Sequence, residues 1–204
     1  MLFYTTRLAL WITVACLLFV LIRRFVVKRK RLAYILAFFA AAALTGISVV
    51  YPVENLVLRF DSAESVFSYI GKGTVQTVLE GQESCMVIYS QQGKTDGQLL
   101  IPKKEKCYLI PKPTTTVKVA SSDADQAVFY DVYSAQGTED YYVFGYLVSD
   151  ASDIDITDNA GKSLQMDARP SVNPKIKYVT FYGVIEDYGT DYFITVNGEH
   201  IPAV

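Results

Sequence analysis

A single histidine limits the catalytic chemistry this chain can assemble. His200 is the only imidazole in 204 residues. Any Ser-His-Asp or Cys-His arrangement would have to use it. It falls on the second arm of an expected hairpin and reads as a solvent-exposed strand residue. No G-x-S-x-G, P-loop, H-E-x-x-H or G-x-G-x-x-G pattern occurs. The three cysteines, Cys16, Cys85 and Cys107, form no CxxC, and two of them with one distant histidine make no zinc set. No cofactor is expected.

Carboxylates are plentiful, with twenty-one Asp and Glu. Asp150, Asp153, Asp155 and Asp158 invite a calcium test. An EF-hand starting at Asp153 needs Gly at 158 and Glu at 164. The chain has Asp158 and Leu164, so the match fails. Alternation explains the cluster better: Ile154 and Ile156 point inward, Asp153 and Asp155 outward, and Asp158-Asn159 begins a turn. A pair of converging acids could still hydrolyse a glycosidic bond, but sequence does not show which two converge.

Tyrosine offers the remaining chemistry. Twelve of the fifteen tyrosines lie beyond residue 52. Tyr141, Tyr142, Tyr182, Tyr188 and Tyr192 are the candidate binding face, able to stack on sugars or a peptide. The plainer reading is that Tyr suits half-buried strands and cross-strand pairs.

These residues need strands to hold them. Residues 55–60 alternate as a strand. Asp61 and Glu64 suggest a capping box, and Ala63, Val66, Phe67 and Ile70 form one helical stripe that Gly71 ends. From Thr74 on, short strands and turns dominate: 85–90, 98–102, 107–110, 114–120, 127–133, 141–148, 154–157, 163–166, 178–185, 192–196 and 199–202. Asn173-Pro174 marks a loop. Asn197-Gly198 is the strongest hairpin signal. This spacing predicts an all-β domain over 53–204, an antiparallel sandwich or partly open barrel, with one short helix near its start. A meander over 85–110 would place Cys85 and Cys107 on strands nearly ~10 Å apart, beyond the ~7 Å reach of a disulfide.

The first fifty-two residues read differently. They carry seven basic and no acidic side chains, a charge of +7, whereas 53–204 carry twelve basic and twenty-one acidic, a charge of −9. Such an acidic portion repels nucleic acid. Residues 8–22 and 32–53 are uncharged. With Arg7 snorkelling outward, 3–22 and 32–52 are expected as a transmembrane hairpin. Arg23, Arg24, Lys28, Arg29, Lys30 and Arg31 fill the turn 23–31 and mark it as cytoplasmic. Both termini and 53–204 would then be extracellular, in a two-span protein of the cell membrane with the lipid bilayer as its partner. A cleaved signal peptide fits less well, because Arg-Arg follows at once without a small-x-small site. Residues 13–16 only faintly echo a lipoprotein box.

The string 51–56 (Tyr-Pro-Val-Glu-Asn-Leu), with Phe60, Ser62, Glu64, residues 67–69, the strand 84–90 and the closing 196–199, resembles a group of uncharacterised two-span bacterial membrane proteins. The resemblance implies a bacterial, Gram-positive envelope protein and carries no activity. The expected role is a membrane-anchored, non-enzymatic extracellular domain that binds an envelope component or another membrane protein. The alternatives are an accessory subunit of a transporter or sensor complex and a carboxylate-dependent envelope hydrolase.

Overall fold

The computed structural model describes residues 2–25, 30–71, 73–91, 95–122, 128–170 and 175–204. Two helices open the chain, α1 (Leu2–Phe25) and α2 (Lys30–Val50). They pack side by side, with Phe19 and Tyr34 rings 5.5 Å apart. Among the described residues no helix is long and apolar enough to cross a membrane. This corrects the expected transmembrane hairpin. The uncharged run of α1 is fifteen residues, about 22 Å, and that of α2 within its helix is nineteen, about 28 Å. Neither reaches the roughly 30 Å of a hydrocarbon core. Arg7 does not extend the first run by snorkelling, because its Nε donates to Glu54 Oε1 at 2.5 Å. The two-span localisation, with a cytoplasmic turn and extracellular termini, is therefore not supported. Arg23 and Arg24 sit exposed in the last turn of α1, and Lys30 and Arg31 begin α2. Lys28 and Arg29 lie outside the described residues.

A 3₁₀ turn (Val53–Leu56) replaces the strand expected at 55–60. The Asn55 side chain explains it. Its Nδ2 donates to Ile110 O and its Oδ1 accepts from Ile110 N, both at 2.9 Å. One amide thus satisfies the backbone that a strand would have paired. Helix α3 (Ala63–Ile70) is capped by Ser62, whose Oγ accepts from Ser65 N, one residue later than expected. It ends at Gly71 in the left-handed region, φ 73°.

Strands dominate the remainder, which sets the class as mostly β. The first sheet has the order β1 (Thr74–Glu80), β2 (Ser84–Gln91), β3 (Thr95–Lys104), β4 (Cys107–Tyr108). The central sheet contains β5 (Thr116–Ser121), β6 (Val128–Ala135), β7 (Tyr141–Ser149), β9 (Gln165–Pro170) and β10 (Lys177–Ile185), in the order β5-β6-β7-β10-β9. A small sheet, ordered β12-β11-β8, holds β8 (Ile156–Asp158), β11 (Phe193–Val196) and β12 (Glu199–Pro202). All pairings are antiparallel.

The sheets stack as layers because successive side chains alternate between faces. In β2, Cys85 and Val87 join the core under α3, while Met86 and Ile88 face Tyr142, Phe144 and Tyr182 of the central sheet. The other face of the central sheet packs Tyr130, Val132, Val143 and Phe181 against Ile156, Ile194 and Ile201 of the small sheet. Gly145 is required in that layer. A Cβ there would fall well inside 3.0 Å of Phe181 and Tyr130.

Candidate binding face

The register of the central sheet sorts its side chains into rows. Residues opposed across an antiparallel pair share a face. One row runs Asp131, Phe144, Tyr182, Gln165 across β6, β7, β10 and β9. The next, one step further from the β6–β7 turn, runs Phe129, Tyr146, Thr180, Asp167. The outermost runs Val148, Tyr178, Arg169. Burial changes sharply along this series. Phe144 and Tyr182 lie beneath Met86, Ile88 and Leu100 of the first sheet. Beyond them only Thr180 is still buried, while Phe129 is 37% exposed, Tyr146 40%, Val148 45% and Tyr178 53%. The result is a terrace of three rings and a valine on interior strands, paired on both sides at Tyr146 and Tyr178.

The terrace is supported from below and at its rim. Phe144 meets Tyr146 edge to face, with centroids 5.2 Å apart and planes at 83°. Such pairs favour one ring orientation. Lys118 on β5 bonds Asp131 at 2.8 Å, and its ammonium lies 6.0 Å from the Phe129 centroid. Asp131 also accepts from Tyr133 OH at 2.8 Å. At the opposite rim, Asp167 accepts from Tyr182 OH at 2.7 Å.

The five tyrosines expected as a face do not form one. Tyr141 and Tyr142 are adjacent in β7 and therefore point to opposite sides. Tyr142, Tyr182 and Tyr192 are buried. The hydroxyl of Tyr142 lies 2.9 Å from Ser84 Oγ. Tyr141 and Tyr188 are half-buried and stack on each other at 4.5 Å, and Tyr188 continues to Tyr192 at 5.7 Å. This second ring cluster flanks the core on the small-sheet side. The exposed rings Phe129, Tyr146 and Tyr178 escaped the sequence reading. Alternation within 127–133, 141–148 and 178–185 fixes the side each takes in its own strand, but the pairing register and the edge of the covering sheet have no local signal.

The acids converge elsewhere. Glu80, Glu83, Glu139, Asp140 and Glu186, with Lys162, line a cleft of about 1080 Å³ where the β1–β2 turn meets the β6–β7 turn. Asp140 is the keystone of this junction. It accepts from Gln82 N at 2.9 Å, Glu83 N at 2.8 Å and Ser84 Oγ at 2.7 Å. Burial raises its pKa, but the bonds from Gln82, Ser84 and Glu83 outweigh that and hold the carboxyl below its ordinary range. Glu186 is likewise lowered, by the hydrogen bond and charge of Lys162 at 2.6 Å. Glu80 pairs with Lys103 and accepts from Tyr108 OH. A general acid needs the opposite shift, towards the protonated form.

The other candidates have structural roles. Asp158 is buried and its Oδ1 accepts from Ala160 N and Lys162 N, fixing the turn. Asp153 and Asp155 are exposed. Among the described residues no group of three His, Cys, Asp or Glu side chains is placed to hold a metal. His200 is exposed beside Phe193. Cys85 and Cys107 are both free thiols, on strands separated by β3.

No known protein family, no curated protein and no solved structure matches this chain.

Proposed function

We propose that residues 53–204 form a non-enzymatic binding module whose contact surface is the terrace of Phe129, Tyr146, Val148 and Tyr178. One observation carries this reading: four large apolar side chains, each more than a third exposed, share one face of three neighbouring interior strands. Exposed apolar residues scattered singly need no explanation, whereas a contiguous rigid group points to a partner. Tyr146 and Tyr178 sit where their strands are paired on both sides, so these two rings are held in place before a ligand arrives. Preorganisation of this kind lowers the cost of binding. The acid cleft fits hydrolysis poorly, since Asp140 and Glu186 are both pushed towards the ionised form.

The test is a ligand screen of the full chain beside the double variant Tyr146→Ala/Tyr178→Ala. Ligands should lose affinity at least tenfold in the variant while its unfolding midpoint stays near that of the parent. A ligand bound equally well by both proteins would place the contact surface elsewhere.

A further inference from the structure

We infer that the terrace takes an uncharged carbohydrate chain, stacked ring face against ring face. This rests on the binding reading above and assigns it a ligand class. Four features of the site select that class.

The first is size. From β6 to β10 is two strand spacings, roughly 10 Å, and the two rows that carry the exposed side chains lie roughly 7 Å apart along the strands, with Thr180 buried in the first of them. A platform of that extent falls far short of the ~800 Å² that each partner buries in a stable protein complex. It suits a ligand of a few rings.

The second is the backbone. β6, β7 and β10 each have neighbours on both sides. A peptide that binds by adding a strand needs an open edge with unpaired N–H and C=O groups. The terrace presents only side chains, so recognition must come from faces and hydroxyls rather than from main-chain pairing.

The third is charge. At the rim Lys118 is already paired with the buried Asp131, and Arg169 and Asp167 share one face of β9, so no net charge of either sign is presented. The −9 charge of residues 53–204 repels polyanions such as nucleic acid or acidic glycans. A polycation would find Asp131 buried and already paired with Lys118. Neutral ligands have no such conflict.

The fourth is the chemistry of the rings. Tyr146 and Tyr178 combine a flat apolar face with a phenolic hydroxyl at its edge. Pyranose rings have the matching arrangement, with C–H groups on a face and hydroxyls around the perimeter. The negative ring face attracts those C–H groups, and Asp167 offers acceptor oxygens at the rim. A lipid tail would leave the hydroxyls and rim charges unmatched.

Affinity electrophoresis of the full chain tests this. The gels contain laminarin, mannan or hydroxyethyl cellulose as neutral probes, polygalacturonate as an anionic probe, and none as reference. Fluorescence anisotropy with a labelled Phe- and Tyr-rich decapeptide runs alongside. At least one neutral polysaccharide should retard the protein. Tyr146→Ala and Tyr178→Ala should each weaken that retardation about tenfold. Met166→Ala, an exposed change on the opposite face of the sheet, should leave it intact. If only the decapeptide or polygalacturonate binds, in a manner that Tyr146→Ala removes, the carbohydrate assignment is overturned and the binding face stands. If no probe shows binding that depends on Tyr146 or Tyr178, both the assignment and the binding face fall. Circular dichroism of each variant confirms that the fold is retained. Should either alanine variant unfold, Tyr146→Leu and Tyr178→Leu keep apolar bulk and remove the ring, and the same outcomes apply.

Discussion

Phe129 and Tyr146 oppose each other across β6 and β7 at the line where the first sheet stops covering the central one. One row nearer the turn, Asp131 and Phe144 occupy the equivalent positions and are buried. The same two strands therefore supply core on one side of that line and open surface on the other.

Stability should divide at that line. Tyr142→Ala removes a fully buried ring from the interface between two sheets and should cost about 3–5 kcal/mol. Tyr146→Ala, on the open side, should cost under ~1 kcal/mol. Urea unfolding of the two variants checks the contrast. Equal losses would mean that the outer row is packed as tightly as the inner one.

Asp140 should give the fold an acid-sensitive joint. Its folded-state pKa lies below the ordinary value of 3.8. The stability it contributes is therefore complete at neutral pH and is lost as pH falls below 3.8 through the lowered value. Asp140→Ala strands two backbone N–H groups and should cost roughly 2–3 kcal/mol at pH 7. Asp140→Asn should lose less and should flatten the acid limb of the stability curve. Thermal unfolding from pH 7 to pH 2.5 measures both effects. An unchanged acid limb in the Asn variant would show that other carboxylates govern it.

Much of the local structure was legible in the sequence, and the failures share one cause. Asn197 and Gly198 adopt φ 50° and 87°, the turn their side chains favour, and join Val196 to Glu199. Gly71 caps α3, and Asp158 builds its turn through its own carboxylate. These signals act within a few residues. The strand expected at 55–60 failed because Asn55 is paired with Ile110, fifty-five positions away. The hairpin failed in part because Arg7 is bonded to Glu54. The tyrosine face failed because adjacent tyrosines alternate sides, and because exposure depends on where a separate sheet ends. Such long-range pairings leave no periodic trace in the chain.

Gly145→Ala should destabilise by about 1–3 kcal/mol, because the added methyl meets the Phe181 ring, the Phe129 carbonyl oxygen and the Tyr130 Cβ and must displace them. Gly145 is opposed to both Phe181 and Tyr130 in register. Differential scanning calorimetry measures the loss. The companion change Phe181→Leu in the alanine background should recover part of it by vacating the same volume.

The two thiols beyond the helices should react at different rates. Cys85 is fully buried, and burial together with the charge of Glu80 pushes its pKa up to about 12. A thiol needs its thiolate form to react. Cys107 is only half-buried, on the outermost strand of the first sheet. Iodoacetamide at pH 8 should label Cys107 well before Cys85, and peptide mass spectrometry after timed quenching reads the order. Equal labelling would show that β2 opens on the timescale of the reaction. A bridged Cys85–Cys107 peptide under non-reducing conditions would contradict the strand order itself.

The junction at Asp140 also acts at a distance. It pins the first sheet to the central one beside the β6–β7 turn, while Phe129, Tyr146 and Val148 lie towards the other end of those strands. The first sheet is thus held at this corner by hydrogen bonds and elsewhere by the packing of Met86, Ile88 and Leu100, and its margin sets how much of the central sheet stays open. Gly81 fits under that fastening only because it has no side chain to strike Asp140 and Tyr142. Changes in the turn 81–83 that unseat Asp140 would shift the position of that margin. Residues that never meet a ligand would then tune how much of one the terrace can hold.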